Sequence, residues 1–204
     1  MISAIILAAG ESTRMEHQNK LLLPFGHQPL IGHIVQTVLA SEADEVIVVL
    51  GHQADRVREA LATCEVTFAL NPRYREGMTT SIQAGVQAAS AETSGFMICL
   101  SDLPMIEPAE LNQVMAAFRK AMQHDPRHLV RPVHRGKPGH PVIFPAHLKP
   151  AILRHQDLHG CQHIVQQNRA LLIEVEMATD HVLRDIDTPD AYEALHPTDT
   201  RTDP

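Results

Sequence analysis

Residues 46–50 read VIVVL and residues 96–100 read FMICL. Each run is too short and too uniformly apolar for a surface helix, and reads as a strand covered on both faces. SAIIL (3–7) and VTFAL (66–70) repeat the pattern. Segments of helical period lie between them. Leu30, Ile34, Val35 and Val38 keep one helix face, and so do Ala54, Val57 and Leu61. A third helix opens at Glu107-Pro108, aligns Leu111, Val114, Met115, Phe118 and Met122, and closes with Arg119, Lys120 and His124. Strands and helices alternating in this way predict βαβ units, right-handed crossovers and an α/β fold with a doubly wound, mostly parallel sheet. Ligands of such sheets bind beyond the carboxyl ends of the strands.

The pattern changes after about Arg127. Residues 129–145, LVRPVHRGKPGHPVIFP, read as two short strands joined by a Gly/Pro turn, and LLIEVEM (171–177) alternates as a half-exposed strand, so a small mixed extension of the sheet is expected. The length of 204 residues fits one domain, 1–195, followed by a tail, HPTDTRTDP (196–204), that lacks an apolar anchor and is expected to be disordered. A net charge of -7 argues against nonspecific binding to nucleic acid or acidic membranes, so an anionic ligand must meet a local basic site. MISAIILAAG has neither the basic start nor the long apolar core of a signal peptide or membrane span, which makes the cytoplasm the expected location. Cys64, Cys99 and Cys161 form no CxxC pair and read as reduced thiols.

The first strand runs into AAGESTRM. Ala8, Ala9 and Gly10 let a ligand approach backbone N–H groups, Ser12 and Thr13 add hydroxyls, and Arg14 and Lys20 add positive charge: the components of a phosphate nest, or equally of an ordinary loop with two solvated cations. The loop matches neither GxxxxGK[ST] nor GxGxxG, which counts against an ATPase and a Rossmann dehydrogenase. Asp102, after FMICL, sits where a carboxylate holds a hard cation or caps the following helix.

Six segments in order, ILAAGESTRM, KLLLPFG, NPRYREGMTTSIQAG, LSDLPMI, KPGHPVIF and RDIDTPDAY, resemble the MobA-like nucleotidyltransferases, and within them the molybdenum cofactor cytidylyltransferase branch. The resemblance spans everything but the tail and implies a three-layer, Rossmann-like nucleotidyltransferase fold. It implies that Leu7, Ala8, Ala9, Gly10, Arg14 and Lys20 bind the nucleoside triphosphate, with Arg14, Lys20 and Asp102 catalytic. Asp102 and Asp187 would hold Mg²⁺, with Asp185 and Asp190 as neighbouring competitors. Asn71 and Ser81 would touch base or ribose, unless they serve only turn and cap. Arg135, Lys137 and His140 would meet the acceptor, unless the hairpin is merely a solvated basic turn. Ala9, where GTP-using members carry Gly, favours CTP.

The implied reaction is in-line attack of a molybdopterin-type phosphate on the α-phosphorus of CTP, releasing pyrophosphate. The alternatives are GTP, a sugar or alditol phosphate acceptor, or a non-catalytic carrier serving a molybdenum hydroxylase. Two departures stand out: RMEHQNK places Glu16 and one extra residue before Lys20, and GCQHIV replaces the family's GDxGAR. His155, His159, Cys161 and His163 could face zinc from one continuous helix, but Gly160 is expected to interrupt it, so zinc is not expected.

Overall fold

The computed structural model describes residues 1–15 and 18–196. The tail expectation, from 197 onward, and the substitution at Glu16 lie outside the described residues.

Ten strands alternate with seven helices among the described residues. In chain order these are β1 (Ile2–Ala8), β2 (Pro24–Phe25), β3 (Gln28–Pro29), α1 (Leu30–Leu39), β4 (Glu45–Leu50), α2 (Ala54–Ala60), β5 (Thr67–Leu70) and α3 (Met78–Ala88). Then follow β6 (Gly95–Leu100), α4 (Pro108–Met122), β7 (Leu129–His134), β8 (Lys137–Pro138), β9 (Val142–Pro145), α5 (Lys149–Arg154), α6 (Gln162–Gln167), β10 (Leu172–Glu176) and α7 (Pro189–Leu195). Apart from the β2-β3 ribbon, the strands form one eight-stranded sheet ordered β10-β7-β9-β6-β1-β4-β5, with β8 paired to β7.

β1 is parallel to both β4 and β6, in register Ala8 with Leu50 and Leu7 with Leu100. Its alternate side chains enter two separate cores. Ile2, Ala4, Ile6 and Ala8 pack with Ile31, Val35, Val57 and Val114 from α1, α2 and α4. Ile5 packs on the other side with Ile82 and Val86 of α3, Ile152 of α5 and Ile164 of α6. Helices therefore cover both faces, and the strand has no polar side to show. Each fully buried aliphatic side chain contributes about 1.5–3 kcal/mol.

Two expectations need correction. VTFAL does form a strand, but as the sheet's edge among the described residues, with Thr67 exposed and Leu70 59% exposed. Residues 129–145 make three strands. The turn at Arg135-Gly136, both in left-handed backbone, folds β8 onto β7, and the chain then returns as β9, antiparallel between β6 and β7. β10 adds parallel to β7 at the far edge, half-exposed as its alternation requires.

Candidate active site

The parallel strands β1, β4, β5 and β6 all end at one edge, where the loops following β1, β5 and β6 line a cavity of about 420 Å³. Leu7, Ala9, Gly10, Arg14, Lys20, Ser81, Asp102 and Asp187 line it. Ala8 does not: its side chain is fully buried in the core beneath the loop.

Lys20 is delivered by its surroundings. The Asn19 side chain accepts from Leu21 N–H, and Lys20 N–H donates to Ser12 Oγ at 3.2 Å, with Ser12 itself in left-handed backbone. Despite the longer RMEHQNK spacing, Lys20 Nζ then donates to Asp102 Oδ2 and to Asp187 Oδ1, both at 2.7 Å. The Lys20 side chain is only 12% exposed. Burial opposes its charge, but the attraction of Asp102 and the hydrogen bonds to both carboxylates outweigh burial and raise its pKa. The hydrogen bond from Lys20, assisted by Arg14 Nη1 at 2.9 Å, holds Asp187 below the usual carboxylate range.

The two carboxylates come from segments far apart in sequence, clasped where Ile186 N–H donates to Asp102 O at 2.8 Å. Asp102 does not cap the next helix; Glu107 and Glu110 do so with a capping box. Asp102 Oδ1 is buried and has no hydrogen-bond partner. An orphaned carboxylate oxygen beside a second carboxylate fits a hard divalent cation that completes its shell from phosphate and water. Asp185 is exposed, and partial burial with the charges of Asp187 and Asp102 pushes its carboxyl upward. Asp190 sits in the first turn of α7, a position that favours acids anyway.

The amino terminus of α3 forms the opposite wall. Gly77 precedes it with φ 106°, and a Cβ there would lie 2.6 Å from Leu158 O. No acid occupies the first turn, so the positive end of the helix faces the cavity through Gly77, Met78 and Ser81. Asn71 stands behind this wall, 2% exposed. Its amide donates to Thr80 Oγ1 at 2.9 Å and Ser81 Oγ at 3.0 Å while its Oδ1 accepts from Arg73 N–H, so it orients Ser81 instead of lining the cavity. Sequence reasoning missed Glu11, Tyr74 and Arg75, which also line it; Arg75 pairs with Glu11 at 3.1 Å and lies over the Tyr74 ring. The arginine pair flanking Tyr74 just before Gly77 was the available signal.

A second cavity, about 370 Å³, adjoins across Met78, which lines both. Ile82, Ile98, Val142, Phe144 and Val165 supply its apolar wall, and His140, His159, Arg131, Cys161, Gln162 and Gln166 its polar positions. Arg131 is held by Glu174. Burial lowers the His140 pKa against the opposing pull of Asp102, and His140 Nδ1 has no partner. Burial also pushes the Cys161 thiol up to about 12, and Cys99 likewise, which makes both inert at neutral pH. Arg135 and Lys137 lie on an exposed hairpin outside both cavities, where Arg135 N–H bonds to Glu176.

Gly160, at φ 82°, ends any helix through His155 to His163, and α6 starts only at Gln162. The rings of His155 and His163 stack at 6.2 Å, and among the described residues no group of three or more His, Cys, Asp or Glu is placed to hold a metal ion. No helix among the described residues is long and apolar enough to cross a membrane.

A family model described as "MobA-like NTP transferase domain" matches residues 4–171. The molybdenum cofactor cytidylyltransferase of Escherichia coli (strain K12) is 28% identical over 196 residues, covering 94% of this chain and 93% of its own. The bifunctional protein GlmU of Kineococcus radiotolerans is 38% identical over 119 residues, but that match covers 56% of this chain and spans only 24% of that relative's length. Among solved structures, a nucleotidyl transferase from Methanothermobacter thermautotroptrophicus superposes with TM-score 0.80 at 27% identity over 96% of each chain.

Proposed function

The chain belongs to the MobA-like NTP transferase family, and on that premise we propose that it transfers a cytidylyl group from CTP to the terminal phosphate of a molybdopterin-type cofactor, releasing pyrophosphate. The observation that carries the reading is the Lys20–Asp102–Asp187 cluster at the carboxyl edge of the sheet, beside a small-residue loop and one Met78 away from the second cavity. The near full-length match to a cytidylyltransferase supports the same substrates.

The triphosphate lies along the backbone N–H groups of residues 9–14 and the amino terminus of α3, with Arg14 and Lys20 against its oxygens. Asp102 and Asp187 would hold Mg²⁺, which would neutralise charge on the phosphates. Ser81, fixed by Asn71, faces the nucleoside. Ala9 lines the cavity at 2% exposure, and alanine at this position would bias the choice of nucleotide by about 1–3 kcal/mol. The acceptor's fused-ring pterin portion occupies the second cavity, with its ring faces against the apolar side chains and its polar edge toward His140, Gln162 and Gln166, and presents its phosphate past Met78 to the α-phosphorus. That phosphate is already ionised at neutral pH, so no general base is required; catalysis is positioning and charge neutralisation.

The test is pyrophosphate release by the purified chain with Mg²⁺ and molybdenum cofactor, in separate reactions with CTP, GTP and ATP. Release with CTP alone is expected. Release with GTP instead would reject the nucleotide assignment, and silence with all three, with cofactor shown intact, would reject the transfer itself.

A further inference from the structure

We propose that Lys20 and the divalent cation compete for the same gap between Asp102 and Asp187, so that the cation enters with the nucleotide and not ahead of it. The inference rests on the first cavity being the metal and nucleotide site, and is independent of which base or acceptor is used.

The Lys20 ammonium lies 2.7 Å from one oxygen of each carboxylate. It thus bridges the two groups that are to share a cation, leaving Asp102 Oδ1 as the buried oxygen without a partner. A dication held through the unpartnered Asp102 Oδ1 and Asp187 would still stand within a few ångströms of the ammonium on Asp102 Oδ2, in a partly desolvated pocket where like charges repel strongly. One of the two must leave. The carboxylates cannot move apart easily, because the Ile186 N–H bond to Asp102 O ties their segments together. Lys20 can: its backbone is pinned to Ser12 Oγ, while its four-carbon stem is free to swing.

The displaced ammonium needs a counter-charge. Triphosphate oxygens over Gly10 to Arg14 supply one; a bare metal ion does not. Arg14 offers no substitute bridge, since it touches only the outer Asp187 Oδ2 and is 73% exposed. Metal alone must therefore break both Lys20 contacts without compensation, whereas metal and nucleotide together exchange them for new ones. By linkage each ligand then tightens the other by the same factor.

The experiment is Mn²⁺ binding to the full chain without nucleotide, read by electron paramagnetic resonance, for the unaltered protein and for Lys20→Met. The expected result is that Lys20→Met binds Mn²⁺ about tenfold or more tightly, because two carboxylates lose their internal cation. Equal or weaker binding by a folded Lys20→Met would overturn the proposal. Should that variant not fold, melting of the unaltered protein decides. Mg²⁺ alone is expected to leave the melting temperature unchanged, and Mg²⁺ with a non-hydrolysable CTP or GTP analogue to raise it. A rise with Mg²⁺ alone as large as with both would overturn the proposal. If neither analogue raises it, the nucleotide reading beneath the proposal falls, and the proposal with it.

Discussion

The cavity at the ends of the parallel strands is walled by loops and ringed with charge, whereas its neighbour across Met78 rests on the antiparallel strand β9 and carries fewer charged groups. In the first, Lys20, Arg14, Asp102 and Asp187 meet within hydrogen-bonding distance. In the second, the one arginine is already paired and the half-buried His140 has its pKa lowered by desolvation. Under the proposed reaction, the charged cavity would neutralise the polyphosphate and its neighbour would hold the acceptor's ring system. The first task fixes residue type at each position; the second fixes only shape.

The largest expected effect comes from breaking the charged half. Asp102→Asn should lower pyrophosphate release about a thousandfold, with circular dichroism unchanged because the Ile186 clasp uses the Asp102 backbone. Unchanged turnover would remove Asp102 from the site. Gly77→Ala strikes the wall of the first cavity where it meets the 155–160 loop. With φ at 106° and Leu158 O in the way, it should cost about 1–3 kcal/mol in urea unfolding, and a neutral result would deny the close approach.

Thr79→Val is more selective. Thr79 Oγ1 accepts from Gly160 N–H at 3.1 Å and donates to Asp157 O, fastening the acceptor-side loop to α3. The acceptor KM should rise about tenfold while nucleotide affinity holds, and Thr79→Ser should restore it. Equal losses for both substrates would mean that the cavities are not separable.

A smaller effect is expected in the pH dependence of stability. Asp187 is held below its unfolded pKa, so its contribution is present above that value and fades as pH falls through the folded one. Lys20 is raised, so its contribution is complete below its unfolded pKa and is lost as pH rises through the folded one. Melting temperature of the unaltered protein relative to Lys20→Met should hence be flat near neutrality and decline at both extremes. The acid limb should be shallow, since Asp187 is 37% exposed and screened by water. The smallest effect is expected from Arg135→Ala with Lys137→Ala, which should change the acceptor KM by less than about twofold. A larger rise would bring the hairpin into the acceptor site.

How much could be read from the chain beforehand follows the same division. β1, β4 and β6 were legible because burial on both faces leaves a continuous apolar run. β5 carries the same kind of run, and nothing in VTFAL reveals that it forms the sheet's edge among the described residues. Lys20 and the two aspartates could be singled out because each sits in a short contiguous motif. The bland reading of Asp102 as a helix cap could have been rejected from EPAE, since Glu107 and Glu110 already form the cap. The second cavity could not be read: Met78, Phe144, Arg131 and Gln162 come from four separate elements, and α5 and α6, six residues each, are too short to show a period.

The central claim is that two adjacent cavities divide the two substrates, and hydrogen exchange of the full chain tests it most directly. A non-hydrolysable CTP analogue with Mg²⁺ should protect residues 7–15, 77–81, 101–102 and 186–187, while the molybdenum cofactor alone should protect 138–144 and 159–166, with Met78 in the overlap. Protection of the second set by the nucleotide, or of the first set by the cofactor alone, would contradict the account.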